Sequence, residues 1–206
     1  MWIVANTAGA VIGAFITSAV TGGLFTSEPI YGSTIETFIR EAANGLILGA
    51  CIGWVEWLVL NSYMFNSPGW VWATSGGWAL GFLIVVVLQN YIDADINSIS
   101  AEGFAAILGT VIGLCQCVAI RGRVQRAWIW PLAPIAAWIA SFATVPIISP
   151  IVYGKSTSEL LRTVLGSIWL FGILEIVTGL ALLWLLRHPK LEVVSDIQPN
   201  GMSSEV

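Results

Sequence analysis

The stretch Ile47–Trp57 reads ILGACIGWVEW, and its pattern returns as ILGTVIGLCQC from Ile107 and as ILEIVTGLALL from Ile173. The first two copies share Ile, Leu, Gly, Ile and Gly at matching places. The second and third share Ile, Leu, Val, Gly and Leu, after which Arg121 matches Arg187. The copies begin at 47, 107 and 173, intervals of 60 and 66 residues. Recurrence at so even a spacing points to internal triplication.

The composition sets the solvent for these copies. Of 206 residues, 57% are hydrophobic and 10% charged, and the mean hydropathy is +0.85. Soluble domains carry about 25% charged residues, so the chain reads as an integral membrane protein. The net charge is −4 with no basic tract, which excludes nucleic acid as a partner. The opening Met-Trp-Ile lacks the basic start of a cleaved signal peptide, so the first apolar run is expected to stay as a helix. Cys51, Cys115 and Cys117 all lie in apolar runs, and an odd, buried set argues against a disulfide framework. The single histidine, His188, stands at the end of the last run, so no metal site is expected.

Six apolar runs approach the length that about 30 Å of hydrocarbon requires of a helix. They are Trp2–Phe25, Ile39–Met64, Trp70–Tyr91, Gly103–Ile120, Ala127–Val152 and Leu161–Leu186. Ser27-Glu28-Pro29, Asn66-Ser67-Pro68-Gly69 and Pro189 supply breaks. The odd runs repeat as well. Ala5, Gly9 and Gly13 match Ala73, Gly77 and Gly81, while Trp70 and Trp72 match Trp128 and Trp130, with two extra residues near Pro131 and Pro134 before Trp138 and Phe142.

The unit is therefore a helix pair, and an even number of crossings keeps every copy in one orientation. The expected fold is an all-α integral membrane protein, a six-transmembrane-helix bundle built from three parallel two-helix repeats. These cover about 2–64, 70–120 and 128–187 of a single transmembrane domain, 1–190, followed by a polar cytoplasmic tail, 191–206. Small residues let helix backbones approach where lipid provides no hydrophobic drive. Gly9/Gly13, Gly45/Gly49/Gly53, Gly77/Gly81 and Gly109/Gly113 are the expected seams, with Ala133, Ala137 and Ser141 in the fifth helix.

Basic residues orient the bundle. Arg121, Arg123, Arg126, Arg187 and Lys190 share the side of both termini, against Arg40, Lys155 and Arg162 on the other, so both termini are expected in the cytoplasm. Trp2, Trp70, Trp72, Trp128, Trp130 and Trp184 are expected at that interface. Arg121, Arg123 and Arg126 form the sharpest cluster, suited to anionic lipid head groups or a cytoplasmic partner.

Three polar residues stand deep in the spans. Glu56 follows Gly49 and Gly53 on one helical face, Gln116 is its counterpart in the next copy, and Glu175 lies three after Gly172 and four before Gly179. All three should face the bundle interior. An acid at that depth costs about 2.5–3.5 kcal/mol on insertion scales, which makes it a functional candidate, with interhelical hydrogen bonding as the plainer role. The acidic loop Asp93–Glu102 matches a calcium loop at its first alternate positions but has Ser98 in place of the turn glycine and Phe104 in place of the final acid. The chain has no serine elbow, phosphate loop, HExxH or intramembrane histidine, so it reads as non-enzymatic.

Two resemblances bear on source. Glu41–Gly49, EAANGLILG, resembles the chlorophyll-binding helix motif of light-harvesting-like proteins, with Leu46 where that motif needs arginine. The runs PGWVWATSGGWALGF, Pro68–Phe82, and ILGTVIGLCQCVAIRGRVQRAWIW, Ile107–Trp130, resemble a family of multi-pass membrane proteins abundant in cyanobacteria. The chain departs from that pattern at Cys117, where the family has Trp, and at Glu56, where it has Gln, and retains Trp57. The resemblance implies the repeat fold and a photosynthetic-bacterial source, in a plasma or thylakoid membrane, and no mechanism. Function narrows to an accessory or scaffold subunit packing with other membrane proteins, lipid or pigment. The alternative is a small-solute or ion transporter or channel lined by Glu56, Gln116 and Glu175. No resident cofactor is expected beyond lipid or pigment.

Overall fold

A computed structural model describes residues 2–24, 34–62, 68–91, 101–152 and 159–187. Among these residues the α-helices are α1 (Trp2–Leu24), α2 (Thr34–Leu60), α3 (Gly69–Tyr91), α4 (Ala101–Ile120), α5 (Leu132–Ala143), α6 (Val145–Val152) and α7 (Glu159–Leu186). Among the described residues there are six spans long and apolar enough to cross a membrane. The second helix begins five residues before the expected Ile39, at Thr34, where Glu36 in the first turn complements the helix dipole. The segment expected as one helix over Ala127–Val152 is broken. A 3₁₀ turn, Ala127–Ile129, leads into α5, and Thr144 separates α5 from α6. Pro146 has no N–H to bond back toward Phe142, so the helix stops and restarts with Ile147 and Ile148 both bonded to the Thr144 carbonyl. Pro131 and Pro134 fall at the start of α5, where a missing N–H is tolerated.

The helices form a closed ring. Each of α1 to α5 packs on its successor, except that α5 passes to α7 with α6 leaning on both, and α7 returns to α1. Inside the ring the side chains sort into layers. One apolar cluster gathers Leu60, Trp70, Ile120, Trp130, Leu182 and Leu185, with Trp2 and Trp57 at its edge. A second gathers Ala10, Ile52, Trp78, Leu108, Ile112, Trp138 and Leu174, flanked by Phe82, Phe104, Phe142 and Phe171. Between the two, about one helical turn from each, lie the buried polar residues Asn6, Glu56, Thr74, Gln116 and Thr178, with Glu175 closer to the second cluster, next to Leu174.

The seams are close. A Cβ at Gly45 would stand 2.5 Å from the Ala79 Cα, one at Gly49 2.7 Å from the Ser75 Cα, and one at Gly113 2.7 Å from the Pro131 Cα. Gly9 meets Val55, Gly13 meets Leu48, Gly53 meets Thr74, Gly77 meets Ile112, Gly81 meets Leu108 and Gly109 meets Ile135. Gly172 differs from the expected seam: nothing lies within 4 Å of its Cβ position, and it lines an outer groove instead. The seam that turns Glu175 inward is carried by Gly179, whose Cβ position is 2.7 Å from the Trp2 ring. Ala133, Ala137 and Ser141 are buried on α5, and Ser141 Oγ donates to the Leu170 carbonyl of α7 at 3.1 Å.

Candidate functional site: a polar band with two buried carboxyls

Trp70 and Thr74 are four apart at the start of α3, so they share a face. That face meets Glu56 on α2. The Trp70 Nε1–H donates to Glu56 Oε2 at 2.8 Å, Thr74 Oγ1 at 3.3 Å and Gln116 Nε2, from α4, at 3.5 Å. Gln116 Nε2 also donates to Thr74 Oγ1 at 3.0 Å, and its Oε1 accepts from Trp130 Nε1 at 3.0 Å. The two indoles pack edge to face, with ring centroids 5.7 Å apart. One connected network thus ties α2, α3, α4 and the approach to α5. Interhelical hydrogen bonds in membranes average about 0.6 kcal/mol, so three donors return about 2 kcal/mol, which offsets more than half of the insertion cost of the acid.

Glu175 has no such compensation. It is as buried as Glu56, yet its side-chain bond from Thr178 Oγ1 is a long one, at 3.5 Å. Trp2 and Asn6, four apart on α1, are its other neighbours. Both act on the carboxyl, yet Trp2 Nε1 and both polar atoms of the Asn6 side chain are buried without a well-formed hydrogen bond. Asn6 is wholly inaccessible (0% exposed), so this is an unmet requirement inside the protein. The difference shows about two turns further along α7. Leu182 occupies the place on α7 that Glu56 and Gln116 occupy in the other two copies of the motif, and a leucine offers the Trp2 indole no acceptor.

Glu56, Gln116 and Glu175 line one central cavity of about 30 Å³, together with Thr74, Thr178 and the rings of Trp78, Trp130, Trp138 and Phe171. The expected inward direction of the three polar residues is what the coordinates have. Glu175 also lines a second, larger space of about 300 Å³ between α1, α2 and α7, walled by Trp2, Ile3, Leu60, Ile176, Leu180 and Leu183. It is the residue common to both.

Sequence reasoning missed Asn6, Thr74 and Thr178, and assigned Trp70 and Trp130 to the membrane interface. Both indoles are instead buried and donate inward, while Trp72 and Trp128 face outward at 77% and 71% exposure. The register of the odd helices needs the same correction. Trp70 corresponds in role to Trp130, not to Trp128, and then Trp78/Phe82 and Trp138/Phe142 follow at equal spacing with no inserted residues. The signal was a tryptophan followed four residues on by a polar or imino residue at the head of each odd helix: Trp2/Asn6, Trp70/Thr74, Trp130/Pro134.

Arg121, Arg123 and Arg126 stand in the turn between α4 and the 3₁₀ segment, and the Arg126 guanidinium lies 5.8 Å from the centre of the Trp184 ring. The loop 93–100, Lys190 and the tail 191–206 lie outside the described residues. Arg40 pairs with Glu41 at 3.4 Å, and Asn44 donates to Glu41 at 3.2 Å, so the polar residues of the pigment-like motif are engaged with one another. The three cysteines are free, and no group of three metal-ligating side chains occurs among the described residues. No protein-family model matches the chain, and neither the curated proteins nor the solved structures yield a match.

Proposed function

We propose that this chain is a non-catalytic membrane protein, an accessory or scaffold subunit that acts by packing against other membrane components with both termini in the cytoplasm. The single observation that carries the proposal is the closed centre. A cavity of about 30 Å³ holds roughly two waters, and rings of Trp78, Trp138 and Phe171 cap the polar band toward the second apolar cluster. The outer surface carries Trp54 on α2, more than half exposed, a residue type favoured where protein surfaces meet. A photo-cross-linker placed at Trp54 in native membranes tests this. A discrete protein adduct at Trp54, absent at the similarly exposed Ile139, is the expected result. Lipid adducts alone at both positions would reject the proposal.

A second reading, transport of a small cation or proton, has one specific observation in its favour: Glu56, Gln116 and Glu175 converge on the same cavity. We further infer that the ring arose by triplication, supported by the equivalent bonds of Trp70 to Glu56 and Trp130 to Gln116.

A further inference from the structure

We propose that the space between α1, α2 and α7 is a binding site for a membrane-dissolved amine: a compact apolar body bearing one cationic, hydrogen-donating head that seats on Glu175. Three features of the site lead there. Its volume, about 300 Å³, is at the lower end for small-molecule sites, and its walls are aliphatic, with Ile3, Val59, Leu60, Leu180 and Leu183 around the single charged group. It opens sideways into lipid, because Leu180 is 63% exposed and Ile176, Leu183 and Ile3 each more than two-fifths. From Glu175 to Leu186 the lining runs along α7 for about 16 Å, so the carboxyl is at the deep end and the apolar walls lead up toward the helix end.

The head group follows from what Glu175 lacks. Among the described residues no Lys, Arg or His pairs with it; Arg40 pairs with Glu41 instead. The groups around it are donors: the Thr178 hydroxyl, the Trp2 indole N–H and the Asn6 amide, the last buried with neither side-chain atom bonded. A carboxylate held in hydrocarbon needs a counter-cation. An ammonium supplies that charge together with hydrogen-bond donors. A fatty acid would set two carboxyls against each other, and an alcohol would bring no charge. Glu56 does not compete, since its Oε2 is already met by Trp70, Thr74 and Gln116.

The test uses the full chain in lipid nanodiscs, titrated with octylamine, octanol and octanoate while the thermal midpoint is followed. Bound ligand raises the midpoint by mass action. Octylamine is expected to bind roughly tenfold or more tighter than octanol, the worth of one charge-assisted hydrogen bond, and octanoate to give no saturable shift. The octylamine shift should vanish in Glu175→Gln, which removes the charge. It should also vanish in Leu180→Trp, which fills the space from an exposed position, keeps the carboxyl and leaves the buried core untouched. An octylamine shift that persists in either variant, or an equal shift with octanol or octanoate, overturns the proposal. Should Glu175→Gln not fold, Leu180→Trp decides by the same criterion.

Discussion

Trp70 and Glu56, fourteen residues apart, meet through an indole N–H to carboxyl bond of 2.8 Å inside the ring, and Trp130 meets Gln116 across the same separation at 3.0 Å. The pairing makes the acid at 56 interchangeable in principle with an amide, since the second copy of the arrangement already uses one.

Glu56→Gln is therefore expected to leave the thermal midpoint in detergent close to that of the wild type, because an amide oxygen still accepts from Trp70 and the burial of a charge is avoided. Trp70→Phe removes the donor and should cost about 0.6–1.7 kcal/mol. A Glu56→Gln variant less stable than Trp70→Phe would show that the carboxylate itself is required.

Glu175→Gln separates the two functional readings. With few partners to lose, the variant should fold like the wild type, and liposomes holding either protein should show no flux of protons or small cations above protein-free vesicles. Wild-type flux that disappears in Glu175→Gln, with stability kept, would replace the accessory reading by the transport one.

Glycine at the seams is expected to be irreplaceable where backbone faces it. Gly49→Leu and Gly113→Leu place a side chain where only about 2.7 Å separates a Cβ from the Ser75 and Pro131 backbones, and overpacking of that kind costs about 1–3 kcal/mol or more. Gly172→Leu, with nothing within 4 Å, is the matched control and should be near neutral in a thermal melt. Equal losses at all three positions would disprove the seam assignment.

The vacancy at the third copy yields a test of triplication. Leu182→Gln puts an acceptor at the place of Glu56 and Gln116, beside the unpartnered Trp2 indole, so it should be tolerated better than Leu185→Gln, which buries the same amide away from that indole. Melting temperatures of the two variants decide it. The reverse order would argue against equivalent copies.

Orientation is open to a direct measurement. Reporter fusions after Val206 and within 93–100 should report cytoplasm and exterior respectively, as the five basic residues on the terminal side require. An external C-terminal reporter would reverse the assignment.

The sequence by itself determined the solvent, the number of spans and the inward direction of Glu56, Gln116 and Glu175, because apolar length and helical periodicity are local properties read from neighbours three and four residues away. It also marked Gly45, Gly49, Gly109 and Gly113 as close approaches, since a helix has little other use for repeated glycine on one face. Only the tertiary structure decided which helices meet. That α7 closes on α1, bringing Trp2 onto Gly179 and Asn6 toward Glu175, depends on residues more than 160 positions apart, which no periodicity relates. The tertiary packing also made Glu56 a satisfied acid and Glu175 an under-satisfied one. The two look alike in sequence, and they differ because Glu56 meets donors from α3 and α4 whereas Glu175 faces a seam in which Leu182 took the acceptor's place and a cleft opened beside it.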